Sequence, residues 1–536
     1  MSEGPVRVRS DAPPSPPAKG RGGGAAFVAL GILLSRLIGL VRQRVFAHYL
    51  GSSDAADAFN AAFRIPNLLQ NLFGEGVLSA SFIPVYARLL ARGDEREAGR
   101  VAGAVAGLLA LVTATIVLVG MLATPLLIDL IAPGFEGGKR ALTIRIVRVL
   151  FPGMGLLVLS AWCLGILNSH RRFFLSYAAP VAWNVAMIGT LLVCGGRMDQ
   201  GELAVALAWG SVAGSALQFG VQVPAVLRLA RGLRFSINRR IEGVRTVLTN
   251  FVPVFIGRGV SQLSAYIDAM LASLLGTGAV SGLAYAQVIT MLPVSLFGMA
   301  ISAAELPAMS GVTGSEREIH AALRERLTVG LRRIAFFVVP SAVLFLTLGD
   351  TVAATLYQSG RFTAGDARYV WVILAGSSVG LLASTMGRLY ASTFYALGDT
   401  RSPLKYAVTR VILTAVLGVL FSLTLPGVLG LDDRWGVAGL TASAGIAGWV
   451  EFYFLRRRLG RRIGPSGVER RMLAQLWGMA FLAAAVAWGV RLLLPFSHPI
   501  VRGVCILLPY GGVYLAVAAK LGLSEVASLR RRLLRR

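Results

Sequence analysis

Residues 57–76 read DAFNAAFRIPNLLQNLFGEG, a stretch that places three charged side chains among Phe, Leu and Ile residues. The charges are those of Asp57, Arg64 and Glu75. Arg64 follows Asp57 by seven residues and Glu75 follows Arg64 by eleven, so a continuous helix would carry all three on one stripe. What such a stripe does depends on whether the segment lies in water or in lipid.

The composition of the chain indicates that the segment lies in lipid. The chain has 536 residues, of which 55% are hydrophobic and only 15% are charged, whereas about 25% of residues are charged in soluble proteins. Apolar stretches recur from residue 25 to residue 522. Each is long enough to cross a hydrocarbon core of about 30 Å as a helix. The composition therefore predicts an all-α, polytopic membrane protein.

The distribution of arginine predicts the number of spans and their orientation. Turns and charges divide the chain into fourteen apolar segments. Six arginines lie between residues 228 and 245 and seven between 456 and 471, both in loops after even-numbered segments. Cytoplasmic loops carry the excess of Lys and Arg. We therefore predict fourteen transmembrane helices with both termini in the cytoplasm. The net charge of +27 is then expected to orient the protein at an anionic membrane face and not to bind nucleic acid.

The predicted boundaries follow from this division. Residues 1–24, rich in Pro and Gly, are predicted to form a disordered cytoplasmic tail. The predicted spans cover residues 25–48, 57–90, 100–132, 143–168, 173–195, 202–228, 246–275, 279–309, 330–349, 367–397, 404–425, 435–455, 472–494 and 500–519.

Two pairs of segments indicate an internal repeat. LFGEGVLSASFIP (72–84) resembles LFGMAISAAELP (296–307), and LNSHRRF (167–173) resembles LGDTRSP (397–403). Both pairs are separated by six predicted helices, so the repeats would be parallel and related by an axis along the membrane normal. Transporters with such repeats carry their substrate path at the interface between the halves. The last two predicted helices fall outside the repeat.

Motifs for catalysis or energy coupling are not found in the sequence. GGKR (137–140) lacks the Walker spacing, and GSSVG (376–380) matches the serine-hydrolase elbow but lies within a predicted span. Cys163, Cys194 and Cys505 lie in separate apolar stretches without metal or disulfide spacing. We expect no enzyme, metal or other cofactor, and transport driven by an ion gradient or by the membrane potential.

Ionisable residues within the spans identify the candidate site, because such residues are rare and usually face a cavity or each other. The first two predicted spans contain Arg36, Arg42, Arg64 and Glu75. These charges are unfavourable in lipid unless they are hydrated or paired, so we predict a water-filled central cavity. Arg binds phosphate in a bidentate manner, which predicts an anionic substrate. Outward movement of an anion across an inside-negative membrane is favourable by about 2.3 kcal/mol per charge per 100 mV.

Structural roles are equally plausible for other charges within the spans. Asp57, Glu305 and Arg410 lie near span ends or outside any cluster. Ion pairing, or contact of the charged group with the membrane–water interface, explains their presence as well as a position in the cavity does. In the second span, Pro66 removes a backbone donor and Gly74 loosens packing, so a bend around the cavity is predicted.

The stretches SRLIGLVRQRVFAHYLG (35–51) and DAFNAAFRIPNLLQNLFGEGVLSASFIPVYARLL (57–90) resemble the MurJ (MviN) family of lipid II flippases, within the MOP exporter superfamily. The resemblance continues through LNSHRRFF (167–174), LFGMAISAAELP (296–307) and FYALGDTRSPL (394–404). It implies two six-helix lobes, residues 25–232 and 233–460, around a central cationic cavity. Residues 461–536 would add two helices that form a groove for the lipid tail, followed by a basic cytoplasmic tail.

The function implied by the resemblance is lipid transport. Lipid II, an undecaprenyl-pyrophosphate disaccharide-pentapeptide, would cross from the cytoplasmic to the outer leaflet of the bacterial inner membrane for peptidoglycan synthesis, by alternating access. Lipid II and membrane lipids are the expected partners. Three alternatives remain open: a flippase for another polyprenyl-pyrophosphate-linked oligosaccharide, a cation-coupled drug exporter of the same superfamily, and a membrane scaffold that transports nothing.

The resemblance also assigns residues. Arg36 and Arg42 would contact the headgroup, and Asp57 and Glu75 would be the acids on which the family depends. The remaining predicted site residues are Arg64 and Asn67, in the kink of the second span, and Arg258, in the seventh.

The sequence departs from the family pattern at several positions that bear on the identity of the substrate. Gln70 and Asn71 stand where the family has an arginine pair, and Gln43 stands where it has an acid. Gln287 and Val288 replace its Asp-Arg, so one arginine of the usual triad is missing. Our hypothesis is that Arg258 substitutes for it.

Overall fold

The computed structural model describes residues 22–494, 498–523 and 525–526. Within these ranges, the side chains of residues 22–30, 32–33, 66, 69, 75, 253–254 and 256–265 are not described. The predicted N-terminal tail lies outside the described residues, except that residues 22–24 already belong to the first helix. Of the chain after the last predicted span, residues 520–523 and 525–526 are described. The chain is helical throughout the described ranges, without a β-sheet.

The first half of the chain forms nine helices. They are α1 (Gly22–Leu50), α2 (Asp54–Phe73), α3 (Glu75–Ser81), α4 (Ile83–Ala91), α5 (Glu95–Leu122), α6 (Thr124–Ile131), α7 (Gly137–Ser169), α8 (Phe173–Cys194) and α9 (Gln200–Leu229).

The described part of the second half forms ten helices. They are α10 (Glu242–Ser273), α11 (Ala279–Pro293), α12 (Ala300–Ser310), α13 (Glu316–Tyr357), α14 (Ala364–Ala396), α15 (Arg401–Val419), α16 (Leu425–Val428), α17 (Gly436–Ile463), α18 (Arg470–Leu493) and α19 (Pro499–Lys520). π-Helical turns at Val294–Met299 and Leu420–Thr424 join α11 to α12 and α15 to α16.

Ten spans of the described chain are long and apolar enough to cross a bilayer. They show a multi-pass membrane protein, as predicted. The predicted first, second, seventh and twelfth spans correspond to α1, α2–α4, α10 and α17, which are helical but are not among the ten. These four segments contain ionisable residues within their length, so the total of fourteen remains a prediction.

The second predicted span bends where its glycine lies. Helix α2 ends at Phe73 and α3 begins at Glu75, with Gly74 between them. A Cβ atom at Gly74 would clash with the carbonyl oxygen of Gln70, so only glycine fits this break. A single stripe from Asp57 to Glu75 requires a continuous helix, and the helix is interrupted before Glu75. The repeated LFG of residues 296–298 also lies at an irregularity, the π-helical turn.

The helices pack as two groups. In the first bundle, α1–α9, helix α7 packs against α2, α5 and α9, and α8 packs against α1 and α9. In the second bundle, α11–α17, helix α14 packs against α13 and α17. Helix α10 contacts both bundles, whereas α18 and α19 pack on each other and on α13. One apolar cluster runs through both bundles, and a second lies among α3–α5, α7, α9 and α10.

Glycine permits a close contact between two helices of the second bundle. Gly380 of α14 faces Gly445 of α17, and a Cβ atom on Gly380 would overlap the Gly445 Cα atom. Backbone approach of this kind is typical of membrane helices, where association depends on van der Waals packing. The contact holds α14 and α17 together beside the cavities described below.

Substitution of Gly380 by Ala is expected to lower the thermal unfolding midpoint of the purified protein. The added methyl group forces the two backbones apart, an overpacking that destabilises by about 1–3 kcal/mol. Gly387→Ala in the same helix is the matched control, because its Cβ atom would meet only Leu455 at an ordinary distance of 4.0 Å. Equal midpoints for both variants would contradict the close contact.

Candidate functional site

A central cavity of about 560 Å³ lies between the two bundles. Four of the predicted site residues line it together: Arg36, Arg42, Arg64 and Asn67. They come from α1 and α2, while Trp183 and Asn184 come from α8. The opposite wall is formed by residues of α10 and α11, among them Tyr266, Gln287, Val288 and Met291.

Arg42 is held against an aromatic ring. Its Cζ atom lies 4.8 Å from the ring centroid of Trp183, and Nη1 lies 3.6 Å from the Met187 sulfur. The Trp183 indole N–H donates to Ser211 Oγ at 3.2 Å, which fixes the ring plane. A guanidinium stacked on a ring keeps its N–H donors around the edge, where they can meet an oxyanion.

A smaller pocket of about 290 Å³ extends from Arg42 into the first bundle. Asn67, Gln70, Ser160, Gln218 and Gln222 contribute neutral polar groups to it. The amide nitrogens of Gln218 and Gln222 donate to Ser160 Oγ at 3.0 and 2.8 Å. The buried Gln222 Oε1 atom accepts no hydrogen bond from the described protein. Hydroxyl and amide groups of a ligand fit such a lining.

Arg64 connects the first bundle to α10. The Tyr266 hydroxyl donates to the Arg64 carbonyl oxygen at 2.8 Å, and the Arg64 and Asp268 charges attract one another. A neighbouring cavity of about 400 Å³, lined by Asp268 and Arg410, shares Gln287 and Met291 with the central cavity. The polar region therefore reaches into the second bundle.

Two of the charges outside the cluster form ion pairs. Arg410 Nη1 lies 3.2 Å from Glu451 Oε2, and Arg326 Nη1 lies 3.4 Å from Glu305 Oε2. Structural pairing thus accounts for Glu305, whereas Arg410 both pairs and lines the neighbouring cavity.

Asp57 lies outside the central cavity and is completely buried. Its carboxylate accepts hydrogen bonds from the backbone N–H groups of Gly278 at 2.8 Å and Ser281 at 2.7 Å, at the start of α11. Lys139 Nζ donates to it at 2.8 Å and lies 2.8 Å from Asp54. An acid at a helix N-terminus satisfies its free N–H groups and interacts favourably with its dipole. Of the two roles that the sequence left open for Asp57, the structure shows the ion pair, and Asp57 is not among the residues that line the central cavity.

Further hydrogen bonds join the bundles at the same face. The Tyr285 hydroxyl donates to the Gly51 carbonyl at 2.7 Å, and the Arg361 N–H donates to the His48 carbonyl at 2.8 Å. Arg44 Nη1 donates to the carbonyl oxygens of Thr355 and Leu356 at 2.9 and 2.8 Å. We call the contacts of Asp57, Lys139, Gly278, Ser281 and Tyr285 the clamp. It joins the two bundles at the end where odd-numbered predicted loops lie.

Two predicted site residues, Glu75 and Arg258, lie in described helices, but their side chains are outside the described residues. Their predicted roles therefore remain predictions. The sequence interpretation missed Trp183, Tyr266 and Lys139. Trp183 had a usable signal, a Trp-Asn pair three residues after Pro180 in an apolar span. Lys139 was considered only as part of a phosphate-binding motif.

Metal ligands are not grouped in the described part of the chain. No set of three or more His, Cys, Asp or Glu side chains there is placed to hold an ion.

The fold defines a class, that of multi-pass membrane proteins with the MurJ and MATE architecture. A solved structure of the lipid II flippase MurJ in an inward closed conformation superposes with a TM-score of 0.75, at 21% identity, over 95% of this chain and 100% of that one. An inward-facing multidrug resistance MATE transporter of the MOP superfamily superposes with a TM-score of 0.64, at 19% identity, over 82% of this chain and 98% of that one. These likenesses establish the fold.

Sequence comparison then establishes the family. The profile described as "Lipid II flippase MurJ" matches residues 46–508. The lipid II flippase MurJ of Burkholderia cenocepacia is 31% identical over 463 residues, covering 85% of this chain and 87% of that protein. The probable lipid II flippase MurJ of Rhizobium tropici is 31% identical over 536 residues, covering 95% and 96%. The chain belongs to the MurJ family.

Removal of either partner from the buried pair of Asp57 and Lys139 is expected to destabilise the closed structure. Lys139→Met should lower the unfolding free energy by about 3 kcal/mol, because it leaves the buried Asp57 carboxylate without its charged partner. Asp57→Asn should lower it by less, because Lys139 keeps its contact with Asp54 at 2.8 Å. The double variant should lose less than the sum of the two. The measurement is thermal unfolding of the purified protein.

The exposed pair formed by Asp129 and Arg140, at 2.7 Å, is the control for this cycle. Asp129→Asn should leave the midpoint unchanged, because solvent screens an exposed ion pair. If Asp57→Asn behaved like Asp129→Asn, the clamp would contribute nothing to closure.

Proposed function

We propose that this protein is a lipid II flippase that moves the lipid-linked peptidoglycan precursor from the cytoplasmic to the outer leaflet of the inner membrane. The observation that carries the proposal is the convergence of Arg36, Arg42 and Arg64 on one cavity between two bundles. Membership of a family whose relatives are named lipid II flippases supports it. An anionic headgroup too polar to cross hydrocarbon requires such a cationic, hydrated path.

The headgroup divides between two chemical environments. The pyrophosphate binds the guanidinium groups of Arg36, Arg42 and Arg64, which offer paired N–H donors to phosphate oxygens. The sugar and peptide groups are uncharged over much of their surface, and the neutral pocket containing Gln218 and Gln222 offers them donors and acceptors. Asn67 lies in both cavities and joins the two environments.

The proposed topology has fourteen spans, with α1, α2–α4, α10 and α17 added to the ten apolar ones and both termini in the cytoplasm. Residues 25–232 and 233–460 form the two lobes, and residues 461–536 form the addition. The clamp then lies on the periplasmic side, where it keeps that side closed. Arginine enrichment of the opposite loops supports this orientation.

Alternating access follows from opening the clamp. In the outward-open state Asp57 releases the N–H groups of Gly278 and Ser281, and the arginine cavity opens to the periplasm. Asp57 thereby acts as a gate residue, which accounts for a carboxylate held outside the cavity. The membrane potential favours outward movement of the anionic headgroup by about 2.3 kcal/mol per charge per 100 mV, and an ion gradient is the alternative drive.

The polyprenyl tail remains in lipid beside the last two helices. Helices α18 and α19 pack on α13 and present exposed apolar residues, including Leu482, Leu492 and Leu508. A chain lying against this surface can accompany the headgroup without entering the polar cavity.

A second candidate substrate is another polyprenyl-pyrophosphate-linked oligosaccharide. It is favoured by the positions of Gln70 and Val288, which line the side pocket and the central cavity where resemblance to the family would place arginines. The pyrophosphate chemistry is common to both candidates, so only the sugar–peptide part distinguishes them.

Complementation of a bacterium depleted of its own lipid II flippase tests the proposal. The wild type should restore growth, and Arg42→Ala at matched membrane levels should not, because it removes the phosphate donors stacked on Trp183. Arg92→Ala, an exposed arginine on the loop after α4, is the control and should restore growth. Failure of a well-expressed wild type would favour the other oligosaccharide, and rescue by Arg42→Ala would contradict the site.

Crosslinking tests alternating access. Thr277 Oγ1 donates to Asp54 Oδ1 at 2.8 Å across the bundles. In a chain lacking native cysteines, a short thiol crosslinker between Asp54→Cys and Thr277→Cys should abolish complementation, and a cleavable linker should restore it when reduced. The control pair is Asp129→Cys and Arg140→Cys, whose parent side chains contact within the first bundle at 2.7 Å. Growth of cells with the first pair fully crosslinked would exclude opening at this face.

A further inference from the structure

A basic cavity lies at the even-loop end of the first bundle. It has a volume of about 590 Å³ and opens between the start of α8 and the end of α9. Arg171 and Arg172 from the loop and Arg228 from α9 line it, together with Phe173 and Phe174. Phe174 is 47% exposed, so an apolar ring stands beside three guanidinium groups.

A second basic cavity, of about 550 Å³, occupies the corresponding place in the second bundle, between the start of α15 and the end of α17. Its lining includes Arg457, Arg458, Arg461 and Arg462. The rings of Tyr406 and Phe454 stack at 5.5 Å and form its apolar wall.

The internal repeat relates the two cavities. LNSHRRF (167–173) leads into α8, and LGDTRSP (397–403) leads into α15. In each bundle the cavity is completed by the last helix of the repeat, α9 or α17. The arginines lie on different elements in the two halves, chiefly on the loop in the first and on the helix in the second. The same combination of guanidinium groups and aromatic rings thus occurs at both repeat positions.

Positive charge in the second cavity is only partly neutralised. Asp399 is the acid in its lining, and Arg462 Nη1 lies 3.8 Å from its Oδ2 atom. The backbone N–H of Ser402 donates to Asp399 and, together with the charges of Arg458 and Arg462, lowers the pKa of this carboxyl group. The ionised carboxylate balances one of four arginines, which leaves three positive charges for a ligand.

We propose that each cavity binds the phosphate headgroup of an anionic phospholipid, with the guanidinium groups on the phosphate and the aromatic rings against the glycerol and first acyl carbons. Orientation of a membrane protein requires only that basic residues be present in a loop. A walled cavity that combines several arginines with exposed rings adds bidentate phosphate recognition and an apolar contact. The proposal is independent of which headgroup the central cavity transports.

Native mass spectrometry of the delipidated full-length protein tests the proposal. With a short-chain phosphatidylglycerol, the wild type should bind two molecules above the level seen with the matched phosphatidylcholine. Arg458→Gln/Arg461→Gln should lose one, and Arg172→Gln/Arg228→Gln should lose the other. Each arginine removed should weaken binding roughly fivefold. Each double variant removes arginines from only one cavity. If one variant cannot be purified, the other still tests the proposal.

The matched control is Arg470→Gln/Arg471→Gln, which removes two exposed arginines at the same end that do not line the cavity. It should keep both lipids. Equal loss in the control and cavity variants would mean that diffuse charge, not a site, attracts the lipid. Displacement of phosphatidylglycerol by an equal concentration of inorganic phosphate would also overturn the proposal, since it would identify a free-phosphate site.

Discussion

The structure depends on one constraint, that an arginine side chain within the hydrocarbon region must meet water or an acid. Arg36, Arg42 and Arg64 satisfy it by facing a shared cavity instead of lipid. Two bundles must therefore stay apart at the level of these residues, and the helices that line the cavity cannot pack as one core. The ring of Trp183 and the charge of Asp268 offset part of the unfavourable desolvation.

Because the two bundles are separated at the cavity, they must be joined elsewhere, and the clamp joins them. Asp57 joins α2, Lys139 and the start of α11 through one buried carboxylate. The clamp is a small set of polar contacts, whereas the packing of helices within each bundle is extensive. This division between strong internal packing and a small polar contact is what a two-state transporter needs.

Much of this was predictable from sequence, and the exceptions have physical causes. Hydrophobic length identified the helices, and grouped charges identified Arg36, Arg42 and Arg64, because both signals are local. Asn67 was predicted from the resemblance to the family. The position of Asp57 was not predictable, since its partners lie 82 and more than 220 residues away. The bend of the second span was predictable from Gly74, which interrupts the helix and with it the continuous stripe that Asp57 and Glu75 would otherwise share. The contact of Trp183 with Arg42 depends on the packing of α8 against α1, which no local pattern encodes.

The most direct test of the account is lipid transport by the purified protein in liposomes that contain lipid II, read by the share of headgroups that a membrane-impermeant enzyme can cleave. The wild type should expose lipid II from the inner leaflet to cleavage. A variant with Arg36, Arg42 and Arg64 all changed to Gln should leave the inner-leaflet share protected, although the protein is folded and inserted. Transport by that variant at the wild-type rate would contradict the claim that these arginines form the path.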